Sequence, residues 1–118
     1  MTQRKKSILI VDDNHEMVKL LSLGVSLAGH EAFPAYDGET ALSLIASDRP
    51  DLALLDLMMP GIDGFETLRR LRKLPHATDL PVIVITASEN PDLQENVASA
   101  GGNFCLHKPI NLQSLEEH

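Results

Sequence analysis

Four apolar runs in this chain each end on a polar residue able to hold a phosphate or the cation that accompanies one. Ser7-Ile8-Leu9-Ile10-Val11 runs into Asp12 and Asp13, and Asp51-Leu52-Ala53-Leu54-Leu55 runs into Asp56. Pro81-Val82-Ile83-Val84-Ile85 runs into Thr86, and Asn103-Phe104-Cys105-Leu106-His107 runs into Lys108-Pro109. In a parallel α/β sheet the carboxyl ends of the strands share one edge, and such sheets bind their ligands there. Three carboxylates, a hydroxyl and an ammonium would meet on that edge. Carboxylates suit Mg²⁺, which takes one or two of them beside phosphate oxygens and water. The ammonium and the hydroxyl suit phosphoryl oxygens. The set reads as a place where a phosphoryl group is received.

The rest of the chain alternates in the way such a sheet requires. Residues 7–11 read as the first strand, and Asn14 as the cap of a helix over 15–28 that Gly29 ends. The second strand, 31–36, contains Pro34, which cannot donate to a ladder and so belongs on a sheet edge. Gly38 opens a second helix over 39–47, with Ala41, Leu44 and Ile45 at helical spacing. The third strand, 51–56, is continuously apolar and reads as buried on both faces. Met59-Pro60-Gly61 is a turn, and a third helix over 64–73 places Phe65, Leu68 and Leu71 inward before Pro75. The fourth strand is 81–86. Asn90-Pro91 caps a fourth helix that ends at Gly101-Gly102. The fifth strand is 103–107, and Asn111 caps a fifth helix cut short at His118. Five strand–helix alternations predict one α/β domain with a parallel sheet covered on both faces.

Composition narrows the function. The chain has 118 residues, with 10 Lys and Arg against 17 Asp and Glu and a formal net charge of −7. A domain of this size buries about 65% of its unfolded surface. Its acidity repels nucleic-acid phosphate, so no direct nucleic-acid binding is expected. Arg4-Lys5-Lys6 reads as solvated charge ahead of the first strand. Cys105 is the only cysteine, which excludes an internal disulfide and fits a reducing compartment. No apolar stretch approaches the ~18 residues that span a bilayer. The expected location is the cytoplasm, with no membrane contact. The histidines at 15, 30, 76, 107 and 118 lack metal-ligand spacing, so no zinc site is expected.

The motifs together resemble the receiver domain of bacterial two-component response regulators. The matching segments are Val11-Asp12-Asp13-Asn14, Tyr36 to Leu42, Pro50 to Gly64, Pro81 to Ala87, Ala100-Gly101-Gly102 and Lys108-Pro109. Each piece is weak alone; the ordered set, spanning residues 7–117, is specific. The resemblance implies a flavodoxin-like (βα)5 sheet in strand order 2-1-3-4-5, for which a chemotaxis receiver is a stock example. That order puts strand two on an edge, where Pro34 independently places it. The short last helix suggests a single receiver domain excised from a longer protein.

The resemblance also implies roles. Asp56 is the phosphoacceptor, a carboxylate nucleophile that forms an acyl phosphate. Asp13 coordinates Mg²⁺ directly, Asp12 largely through water, and the Met58 backbone carbonyl adds another oxygen. Lys108 pairs with the phosphoryl group and is joined to Pro109 by a cis peptide, which an X-Pro bond tolerates. Thr86 donates its hydroxyl to a phosphoryl oxygen and is the switch residue. The small Ala87 leaves room beside it. The partners implied are a histidine kinase or histidine phosphotransfer domain, an output domain beyond residue 118, and a homodimer through the face of helix four, strand five and helix five. Such a domain is a signalling phosphoacceptor, catalysing only its own phosphorylation and dephosphorylation.

One position departs from the family pattern. The aromatic switch residue usually stands three before the lysine; here that position is Cys105, with Phe104 one residue earlier. Neighbours on a strand point to opposite faces, so Phe104 does not replace it. Met58 and Ser88, two past Asp56 and Thr86, sit where the family tunes dephosphorylation. Helix one carries Met17, Val18, Leu20, Leu21, Leu23, Val25 and Leu27, more than one buried stripe needs. It reads either as a two-sided amphipathic helix or as a docking surface for a kinase or phosphotransfer helix. Two rivals remain. A flavin- or nucleotide-binding relative would need a Gly-, Ser- or Thr-rich first loop, where this chain has two acids. A pseudo-receiver would serve only as an interaction module, but no acid or lysine is missing.

Overall fold

The computed structural model describes residues 5–57, 64–86 and 93–107. The chain order is β1 (Ser7–Val11), α1 (His15–Leu27), β2 (Glu31–Ala35), α2 (Gly38–Ser47), β3 (Leu52–Asp56), α3 (Gly64–Arg72), β4 (Val82–Thr86), α4 (Leu93–Ala100) and β5 (Phe104–His107). The strands form one parallel sheet in the order β2-β1-β3-β4-β5. This is the expected flavodoxin-like order. Pro34 lies on edge strand β2, opposite Ile10. The expected turn at 59–61, the Asn90-Pro91 cap and the helix after Asn111 lie outside the described residues.

Strand alternation splits the core into two layers. Ile8, Ile10, Leu54, Ile83 and Ile85 face α1, where Val18, Leu21 and Val25 cover them. Leu9, Val11, Ala53, Leu55, Val82 and Val84 face the other way, beneath Ala41 and Ile45 of α2, Leu68 and Leu71 of α3, and Leu93 and Val97 of α4. Every residue of β4 is buried. Burying one branched apolar side chain contributes roughly 1.5–3 kcal/mol, so the central strands anchor the sheet.

Helices α1 and α4 both stop at a glycine, as expected, and by the same mechanism. Gly29 has φ +88° and Gly101 has φ +110°. His30 N–H donates to Val25 O at 3.1 Å and Gly29 N–H to Ser26 O at 3.0 Å, a Schellman pair. Gly102 and Gly101 repeat it onto Val97 O and Ala98 O at 2.8 and 3.1 Å.

Helix α2 opens at Gly38 as expected, because the Asp37 carboxylate caps it by accepting the Thr40 N–H at 2.7 Å, and one local expectation is corrected. Leu44 does not point inward; it is 40% exposed. The buried stripe is Gly38, Ala41 and Ile45, with Leu42 partly covered. At about 100° per residue, Leu44 lies roughly 90° round the helix from the centre of that stripe.

Candidate functional site

The strand register delivers the acidic residues to one edge. β1 and β3 are adjacent and pair Val11 with Leu55, so the next residues along are Asp12 and Asp56. Asp12 keeps the ladder going by donating its N–H to Ala35 O at 3.1 Å. Its carboxylate then accepts the Asn14 N–H at 2.9 Å, and this Asx turn lifts the chain off the sheet at Asp13. Asn14 caps α1 by accepting from Glu16 N–H and Met17 N–H at 3.0 and 3.2 Å. Asp13 is therefore held between a strand end and a helix start, with its side chain exposed.

Asp12 and Asp56 are only 2% and 4% exposed. One carboxylate oxygen from each of Asp12, Asp13 and Asp56 lies within 4.8 Å of the others. Among the described residues this is the only such cluster of candidate metal ligands. Like charges that close, two of them out of bulk water, favour a bound cation. All the donors are hard carboxylate oxygens, with no sulfur or imidazole, which matches Mg²⁺. The residues present fit the ion expected.

Thr86 is the last residue of β4 and is fully buried. β3 and β4 pair Asp56 with Ile85, so Thr86 stands one residue further toward the acidic edge. Across β4 and β5 it pairs with His107, the residue before Lys108. Lys108, Pro109, Met58, Ala87 and Ser88 lie outside the described residues.

Cys105 pairs with Val84, is half-buried, and packs on the core layer under α2, α3 and α4. Burial pushes its thiol pKa up. Phe104 pairs with Ile83 and is 53% exposed. The two neighbours thus pair with residues of opposite core layers, as strand alternation requires.

Several contributors have little sequence signal. Gly64 opens α3, donates its N–H to Leu57 O at 3.1 Å, and packs against the backbone just after Asp56. His15 and Tyr36, which follow neighbouring strands, stack with ring centroids 4.1 Å apart and planes 7° apart. The Asp37 carboxyl is held below the usual carboxylate range, chiefly by the Thr40 backbone hydrogen bond. At the opposite edge, the Arg72 guanidinium donates to Gly101 O at 2.9 and 2.7 Å, to Ala77 O at 2.9 Å and to Asn103 Oδ1 at 3.0 Å. Asn103 Oδ1 also accepts the Val82 N–H at 2.8 Å, fixing the start of β4.

Comparison with known proteins agrees with this geometry. The family model described as the response regulator receiver domain matches residues 8–118. The response regulator MprA of Mycolicibacterium vanbaalenii is 44% identical over 110 residues, covering 92% of this chain and 46% of that protein. MprA of Mycobacterium tuberculosis is 43% identical over the same shares. The chain spans about half the length of the curated relatives it matches. Among solved structures, the chemotaxis protein CheY4 of Vibrio cholerae superposes with a TM-score of 0.91 at 27% identity, covering 97% of this chain and 95% of that one. The signal receiver domain of a DNA-binding response regulator from Colwellia psychrerythraea gives 0.87 at 30% identity, covering 96% and 94%.

Proposed function

The chain belongs to the receiver-domain family of two-component response regulators, and from that membership we propose that Asp56 accepts a phosphoryl group from a phosphohistidine. The observation that carries the reading is the convergence of the Asp12, Asp13 and Asp56 carboxylates within 4.8 Å at the carboxyl ends of β1 and β3. A pseudo-receiver has no need of that crowding, and the retained acids favour the phosphoacceptor.

Asp12, Asp13 and Asp56, with the Met58 carbonyl, would hold Mg²⁺. Bound there, the ion supplies positive charge against the oxygens of the transferring group. An Asp56 carboxylate oxygen attacks phosphorus. The new O–P bond forms as the N–P bond breaks, and the electron pair leaves with the donor imidazole. Lys108 pairs with the phosphoryl oxygens, a charge-assisted contact of about 1.5–3 kcal/mol. Thr86 donates its hydroxyl to one of them. The product carries about −1.5 to −2 charge at neutral pH. Thr86 moves toward it, and the face built from α4, β5 and the expected fifth helix changes shape. Cys105 takes the place of the usual aromatic in that switch.

The donor is a histidine kinase or phosphotransfer domain. α1 begins beside Asp13 and leaves Leu20, Leu23 and Leu27 exposed at i, i+3, i+7 spacing, a stripe suited to a donor helix. The reading places the domain in the cytoplasm, as part of a longer regulator with an output domain. A homodimer would use the switched face. Among the described residues no helix is long and apolar enough to cross a membrane.

The test is intact mass after incubation with Mg²⁺ and acetyl phosphate. Wild type gains one phosphoryl group and Asp56→Asn gains none. Equal labelling of both would place the acceptor elsewhere.

A further inference from the structure

Four of the ten Lys and Arg residues of this acidic chain, Arg69, Arg70, Arg72 and Lys73, cluster at the carboxyl end of α3. Arg72 is engaged with backbone carbonyls and Asn103. Arg69 and Arg70 stay outside, with side chains 55% and 48% exposed. They share a single carboxylate, Glu66, at 3.3 and 2.8 Å. Lys73 is exposed beside them. Among the described residues, two guanidiniums and an ammonium stand against Glu66 and against Glu95, one turn from Ser99 on α4, which leaves this surface net positive in a chain of net charge −7. Cations at a helix carboxyl end complement the macrodipole, which accounts for a basic last turn anywhere on the helix. It does not account for Arg69 bordering a groove.

That groove, about 300 Å³, runs between α3 and α4, lined by Phe65, Arg69, Asn96, Ser99 and Ala100. Phe65 and Ala100 are half-buried and rest on the core, giving it an apolar floor. Asn96 and Ser99 are exposed and offer hydrogen bonds along the α4 wall. We propose that the α3–α4 groove docks an acidic segment of a partner protein. One apolar side chain of the segment lies on Phe65 and Ala100, and a neighbouring carboxylate pairs with Arg69. Charge complementarity selects this occupant. A nucleic acid would run its phosphates past the small basic patch onto an acidic surface, where they are repelled. The contact uses neither Asp56 nor β5 and needs no phosphoryl group, although its second wall is α4.

A peptide array tests it. One set carries acidic heptapeptides with a single central Leu, Ile, Val or Met. The second set has every Asp and Glu replaced by Lys. A labelled single-stranded oligonucleotide is measured in parallel. Wild type should be retained at least fivefold more on the acidic set than on the basic one. Arg69→Gln should weaken that retention severalfold and Arg69→Glu abolish it. Ser99→Phe, which fills the groove from an exposed position, should abolish it with the charge intact. Circular dichroism confirms that each variant is folded. Equal retention on both sets, no retention on either, indifference to Arg69→Gln, or stronger binding to the oligonucleotide would each overturn the proposal.

Discussion

Gly64 leaves no room for a side chain against the backbone of Asp56. A Cβ placed on Gly64 would lie 2.7 Å from the Asp56 carbonyl oxygen and 2.5 Å from Leu57 Cα. Real carbon contacts are not that short, so the backbone carrying the proposed acceptor would have to move. Gly64→Ala is therefore expected to cost about 1–3 kcal/mol, as overpacking does. It should also slow labelling of Asp56 in the folded protein. Denaturant midpoints and the acetyl phosphate labelling rate measure the two effects; a variant matching wild type in both would contradict the reading.

Asp13→Ala should act in opposite directions with and without metal. With Mg²⁺, one of three carboxylate donors is gone, and affinity by NMR titration should fall at least about tenfold, or ~1.4 kcal/mol. Without metal, one of three repelling charges is gone, and the variant should gain up to about 1 kcal/mol at neutral pH. Unchanged affinity would put the metal elsewhere.

Cys105 should make the switch unlike the common Thr–aromatic form. An aromatic sweeps a large area as it moves between exposed and buried, whereas a cysteine is small and half-covered by the core already. With a beryllofluoride phosphoryl mimic, large NMR shifts are expected at Thr86 and residues 87–92, and small ones at 105. Because burial raises the thiol pKa, alkylation should begin at a more alkaline pH than for a free cysteine. The same shift favours the folded state fully below the unfolded thiol pKa, and that contribution fades as pH rises through the folded value. Rapid labelling at neutral pH in either state would contradict a covered residue 105.

Arg72→Met should separate stability from site chemistry. The substitution leaves the carbonyls of Gly101 and Ala77 and one acceptance at Asn103 without their guanidinium donor. The expected cost is about 2–3 kcal/mol. The lost bonds lie at the amino edge of β4 and β5, opposite Thr86, so folded protein should still accept a phosphoryl group at Asp56. Loss of labelling at full folding would show that the two edges are coupled.

Much of this molecule was legible as pattern. Helix ends at Gly29 and Gly101, the edge position of Pro34, the double burial of β3, and the polar residue that follows or closes four of the five strands are local consequences of backbone freedom, a missing donor or side-chain period. Those rules act within a few residues, so a sequence displays them directly. Tertiary structure decided the rest. The approach of Asp12, Asp13 and Asp56 to within 4.8 Å depends on the β1–β3 register and on the turn at Asp12. The close fit of Gly64, the reach of Arg72 across 29 residues to Gly101, the exposure of Leu44 and the α3–α4 groove depend on how helices seat on the sheet. Distances between groups far apart in the chain are set by strand register and packing, and no local pattern encodes an ångström.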